Sequence, residues 1–113
     1  TNIAILDIGC AQGYYSLLLK EQGCEVVGID NNEENLDLCK YLNNENGFNI
    51  EFNHVKLSLE YIEEITDGEY DIILLLNVLH HIAYEKSYEY AKNILINYDT
   101  SLFNGLRILL FTT

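Results

Sequence analysis

The sequence predicts an α/β fold built on a doubly wound parallel sheet. Three observations carry that expectation. Short apolar runs alternate with amphipathic stretches along the chain, the pattern of strands joined by crossover helices. The runs at residues 3–8 and 70–76 are apolar almost throughout, as strands covered on both faces require. A glycine turn from Gly9 to Gly13 joins the first of these runs to the first amphipathic stretch. Right-handed crossovers then wind helices onto both faces. The expected sheet has five strands in the order 3-2-1-4-5.

The elements follow in sequence. Residues 3–8 read as a buried strand closed by Gly9. Residues 14–22 read as a helix carrying Leu17, Leu18 and Leu19, with Gly23 as its stop. Residues 25–29 form the second strand, ended by Asp30. Asn32 is a suitable N-cap, and Glu33 and Glu34 suit the positive end of a helix dipole. Leu36, Cys39, Tyr41 and Leu42 are expected on one face of that helix, which stops near Gly47. Residues 50–57 alternate as a third strand, and residues 58–65 form a short helix. Residues 70–76 are the fourth strand. Residues 85–98 are helical, with Tyr88, Ala91, Ile94 and Leu95 on one face. After a turn at Asn104-Gly105, residues 106–111 make the fifth strand.

Composition bounds the function. The 113 residues suffice for one domain, and 49% apolar content is enough to bury a core. Six basic against 18 acidic residues give a net charge of −12. Such a surface repels polyphosphate and anionic membrane, so neither nucleic acid nor membrane docking is expected. No apolar run reaches the roughly 18 residues needed to span a bilayer. The three cysteines, Cys10, Cys24 and Cys39, form no C-x-x-C pair. They read as reduced thiols of a cytoplasmic protein, without disulfide or zinc. With no methionine and a first strand that begins by Ile3, the chain reads as a piece of a longer protein.

Doubly wound sheets bind ligands at the carboxyl ends of their strands. Those ends carry Asp7 to Gly13, Asp30-Asn31, Leu57-Ser58 and Asn77 to His81. A dinucleotide fingerprint would place glycines at positions 9, 11 and 14. This chain has Gly9, Ala11 and Tyr14, which disfavours a pyrophosphate and with it a nicotinamide-dependent oxidoreductase. There is no Walker lysine. Asp30 lies about 20 residues beyond Gly9, where a carboxylate accepts hydrogen bonds from both ribose hydroxyls. The alternative is an ordinary tight turn with Asp30 as a cap.

The segment Ile5-Leu-Asp-Ile-Gly-Cys-Ala-Gln-Gly-Tyr-Tyr-Ser16, followed by Val27-Gly-Ile-Asp30, Tyr70-Asp71 and Val78-Leu-His-His-Ile82, resembles class I S-adenosylmethionine-dependent methyltransferases. More narrowly, it is similar to the methyltransferase domain of bifunctional bacterial kinase–methyltransferases that cap O-antigen chains. The resemblance implies a Rossmann-like domain over residues 1–113 that lacks the C-terminal part of the usual seven-stranded sheet. It implies S-adenosylmethionine as cofactor, a small-molecule or glycan acceptor such as a sugar phosphate, and a fused kinase elsewhere in the protein.

It also implies roles for single residues. Asp7 and the turn of Gly9, Cys10, Ala11 and Gly13 would hold the methionine moiety. Asp30 would bind the ribose and Asn31 would lie against the adenine. The family often has an acidic residue after the third strand, where this chain has Leu57 and Ser58. Asn77 would face the methionine amine and the acceptor.

His80 and His81 follow the fourth strand. Imidazole is suited to deprotonating an acceptor near neutral pH. The competing reading is that both are structural. A sugar-phosphate oxygen needs no base, and there a histidine would position the acceptor. Adjacent histidines rarely converge on one ion, so no metal is expected. Of Tyr14 and Tyr15, one is expected to pack the helix on the sheet and the other to line the pocket rim. Two functions remain open: an enzyme that transfers the methyl group, and a non-catalytic module that only binds the cofactor.

Overall fold

The structure, a computed structural model, describes residues 3–65 and 69–76, Ser87, Glu89 and residues 107–111. Its elements run β1 (Ala4–Ile8), α1 (Tyr14–Glu21), β2 (Glu25–Asp30), α2 (Glu33–Glu45), β3 (Glu51–His54), α3 (Leu59–Glu64), β4 (Ile72–Leu76) and β5 (Arg107–Phe111). The parallel α/β fold expected from the sequence is present. The sheet order is β3-β2-β1-β4-β5, with every described neighbour pair parallel. Apart from Ser87 and Glu89, the helix expected over residues 85–98 lies outside the described residues, as does the Asn104-Gly105 turn. No described helix is long and apolar enough to cross a membrane.

Strand alternation assigns the two faces. Leu6, Ile8, Ile29, Ile73 and Leu75 form one buried cluster, against which Tyr61 and Ile65 pack. Val26 and Phe52 join Leu36 and Cys39 of α2 on the other face, with Leu17 and Leu19 of α1 packed against them. Asp7 and Asp30 stand at odd steps from the first set, so they project toward α1 and α2. Gly28 lies between them in the strand pairing, opposite Asp7. A Cβ at Gly28 would sit 2.8 Å from the Phe52 ring and 3.2 Å from Ser16 Oγ, so its absence lets α1 approach the sheet.

Several boundaries differ from expectation. The third strand stops at His54 instead of residue 57. Leu57 turns into the core under the opposite face, and Ser58 Oγ accepts from Tyr61 N (3.1 Å) to start α3. The fourth strand starts at Ile72 rather than 70. Asp71 Oδ2 accepts from Ala4 N (2.8 Å), so a side chain takes the place of a ladder carbonyl.

On α2, Leu36 and Cys39 are buried, but Tyr41 is 60% exposed. Two residues advance a helix by 200°, which turns Tyr41 away from Cys39. Its hydroxyl donates to Glu45 Oε1 at 3.2 Å. The inward stripe continues instead to half-buried Asn43, whose amide pairs with the backbone of Ile50 in both directions (3.2 and 3.1 Å). Asn32 caps α2 as expected, accepting from Asn35 N at 2.9 Å.

Neither tyrosine of α1 packs on the sheet. Tyr14 is 69% and Tyr15 51% exposed, and their rings meet edge to face at 5.2 Å. The residue that α1 buries is Ser16.

Candidate functional site

Parallel pairing places Gly9, Asp30 and His54 along one edge of the sheet. The glycine turn is tied down there from several sides. Gly9 N and Cys10 N both donate to Ile29 O (2.9 and 3.0 Å), which clamps the turn to β2. Gly9, Ala11 and Gly13 all have positive φ, at 70°, 52° and 86°. Gly13 also needs to be small, since a Cβ there would lie 2.9 Å from Cys39 Sγ. The glycine that permits close packing is therefore at position 13, while Tyr14 points into solvent.

Ala11 adopts a left-handed conformation that costs an alanine about 1 kcal/mol or more. Both of its backbone groups are held. Ala11 N donates to Asp30 Oδ2 at 2.8 Å, and Ala11 O accepts from Cys39 Sγ at 3.1 Å. Asp30 Oδ1 accepts from Asn32 N at 2.8 Å. Each carboxylate oxygen of Asp30 thus carries one backbone N–H and keeps a second acceptor direction for a ligand.

Asp7 is 2% exposed and accepts from Ser16 Oγ at 2.6 Å. Burial pushes its carboxyl up to about 6; the Ser16 bond opposes this shift and the nearby Asp30 charge adds to it. Cys10 and Cys39 are free buried thiols. The neighbouring Cys39, and after it burial, push the Cys10 thiol up.

Asp7, Gly9, Cys10, Ala11, Gly13, Asp30 and Asn31 are thus brought together at the carboxyl edge. Leu57 is in the core, and the Ser58 hydroxyl is engaged with α3 as a cap. Asn77, His80 and His81 lie outside the described residues. The sequence alone assigns none of Ser16, Cys39 and His54 to the site. A lone polar residue among the leucines of α1 is the signal that could have found Ser16. His54 Nε2 lies 3.0 Å from Asn31 O. Among the described residues, no group of three or more His, Cys, Asp or Glu side chains is placed to hold a metal ion.

Two buried carboxylates behind a glycine turn make a site that favours hydroxyl donors and cations over phosphate. Asp30 offers paired acceptor directions to a vicinal diol. Asp7 offers negative charge to an ammonium or sulfonium.

A family model described as a methyltransferase domain matches residues 5–95. The O-antigen chain terminator bifunctional methyltransferase/kinase WbdD of Escherichia coli is 39% identical over 92 residues, covering 80% of this chain and 13% of that protein. A ubiquinone biosynthesis O-methyltransferase of Rickettsia bellii is 33% identical over 94 residues, covering 83% of this chain and 37% of that one. A solved structure of the bifunctional kinase–methyltransferase WbdD superposes with a TM-score of 0.88 at 32% identity, covering 99% of this chain and 24% of that chain.

Proposed function

Because this chain belongs to the methyltransferase-domain family, we propose that it binds S-adenosylmethionine and directs methyl transfer to a glycan or small-molecule acceptor. The observation that carries the reading is the Asp30 carboxylate. It is anchored by Ala11 N and Asn32 N and still has acceptor capacity for a ribose diol. Asp7 would meet the charge of the methionine moiety, and the backbone from Gly9 to Gly13, with Cys10 and Ala11, would lie along it. Asn31 would rest against the adenine. Tyr14 would stand at the rim, and Leu57 and Ser58 would offer backbone or hydroxyl groups to the base.

The cofactor supplies a methyl group on a sulfonium, already a good electrophile. The protein's task is alignment and exclusion of water. Asn77 would face both the methionine amine and the acceptor. His80 and His81 follow it and would meet the acceptor, as a base for a hydroxyl or as positioning groups for a phosphate. The acid-rich surface makes a phosphate acceptor depend on local positive charge, which a protonated histidine provides.

The chain spans 13% of the curated E. coli relative. We therefore place it as one methyltransferase domain of a longer protein, its five strands continued by others, with a fused kinase that would supply a phosphorylated sugar. Labelled methyl transfer tests this with the full-length protein. Label should enter a glycan ending in a sugar phosphate and not its unphosphorylated counterpart. Label in a phenolic acceptor instead, or cofactor binding with no transfer to either glycan, would remove the glycan assignment; the second result would favour a binding module.

A further inference from the structure

The loop between β2 and α2 is held by more than its own capping bonds. Asp30 pairs with His54 across the β2–β3 ladder. Val55 N donates to Asp30 O at 2.9 Å, so the backbone before the loop is fixed. Asp30 Oδ1 takes Asn32 N, and Asn32 caps α2, so the backbone after it is fixed as well. Between them stands Asn31, an exposed residue whose carbonyl is 3.0 Å from His54 Nε2. A carbonyl oxygen accepts and never donates, so this nitrogen carries the proton. A neutral His54 is therefore the Nε2–H tautomer.

We propose that His54 is a positioning residue for the adenine half of the cofactor. Its ring holds the Asn31 peptide and so sets the direction in which the Asn31 side chain leaves the strand. This rests on the reading that Asn31 lies against the adenine. His54 would touch neither the methyl group nor the acceptor. Removing its hydrogen bond should therefore weaken cofactor binding equally in the ground and transition states, raising KM and leaving kcat unchanged. A single hydrogen bond of this kind corresponds to about 2- to 10-fold in affinity.

The test is calorimetry on the full-length protein with two probes. S-adenosylhomocysteine carries the whole cofactor frame, and 5′-methylthioadenosine lacks the amino-acid end. His54→Ala should weaken both by the same factor, within about 2- to 10-fold. His54→Gln, which keeps a donor of comparable reach, should restore most of the affinity. The melting temperature without ligand should be the same in all three proteins. Wild-type affinity in His54→Ala would overturn the assignment alone. So would a loss that His54→Gln does not repair, or one that tracks a lower melting temperature. A wild type that binds neither probe would overturn the cofactor reading itself.

Discussion

Asp7→Asn is expected to abolish a loss of stability that the wild-type protein suffers as pH rises. The folded Asp7 carboxyl holds its proton up to about pH 6, against an ordinary value of 3.8. Between those values the folded state binds the extra proton, so stability falls as pH increases through the window and the loss is complete above it. A shift of that size corresponds to about 3 kcal/mol. The cause is burial at 2% exposure, which the 2.6 Å bond from Ser16 offsets only in part.

Urea unfolding of both proteins from pH 4 to 7.5 isolates the effect as the difference between them. That difference should swing toward the variant by about 3 kcal/mol across the window. Parallel curves would show that Asp7 is ionised throughout. A cationic cofactor would draw the Asp7 proton off, so cofactor affinity should rise between pH 5 and 7 in the wild type and stay flat in Asp7→Asn. The energetic cost of a buried carboxylate would then be the cost of having a counter-charge ready for the ligand.

Asp30→Ala should weaken S-adenosylhomocysteine by at least about 100-fold, since two charge-assisted bonds of roughly 1.5–3 kcal/mol each would be lost. The same substitution leaves Ala11 N and Asn32 N without their partner and frees Ala11 from one of the two bonds that hold its left-handed backbone. Asp30→Asn keeps one acceptor oxygen and should fall between wild type and alanine. Asp37 lies exposed on α2 and serves as the control; its alanine variant should bind within about twofold of wild type. Equal calorimetric affinities for folded Asp30→Ala and Asp37→Ala would exclude Asp30 from the site.

The sequence disclosed the sheet because its central strands are short and apolar, β1 followed by Gly9 and β2 ended by Asp30, and the helices between the strands are amphipathic. It disclosed Asp7 and Asp30 because a glycine turn and an acidic strand end at that spacing meet at one edge of a parallel sheet. Other features depend on contacts that no local pattern encodes. Ala11 takes a positive φ because Asp30 and Cys39 hold both its backbone groups. Aromatic residues at the start of α1 looked like packing residues, yet the absence of a Cβ at Gly28 and the presence of Asp7 leave room for the hydroxyl of Ser16. The third strand ends at His54, and Val55 and Leu57 beyond it pack with Leu6, Ile8 and Ile29 outside the ladder, a boundary that the run of apolar positions does not mark. His54 is exposed and polar, and only the strand register brings it to Asn31.

We propose that the glycine turn and Asp30 form an adenosyl-cofactor site without a pyrophosphate subsite. Thermal unfolding of the full-length protein with S-adenosylhomocysteine or NAD tests it most directly. At about 100 times its dissociation constant, S-adenosylhomocysteine should add roughly 2.7 kcal/mol of stability, seen as a rise in Tm, while NAD at the same concentration should leave Tm unchanged. A rise with NAD and none with S-adenosylhomocysteine would exclude such a site.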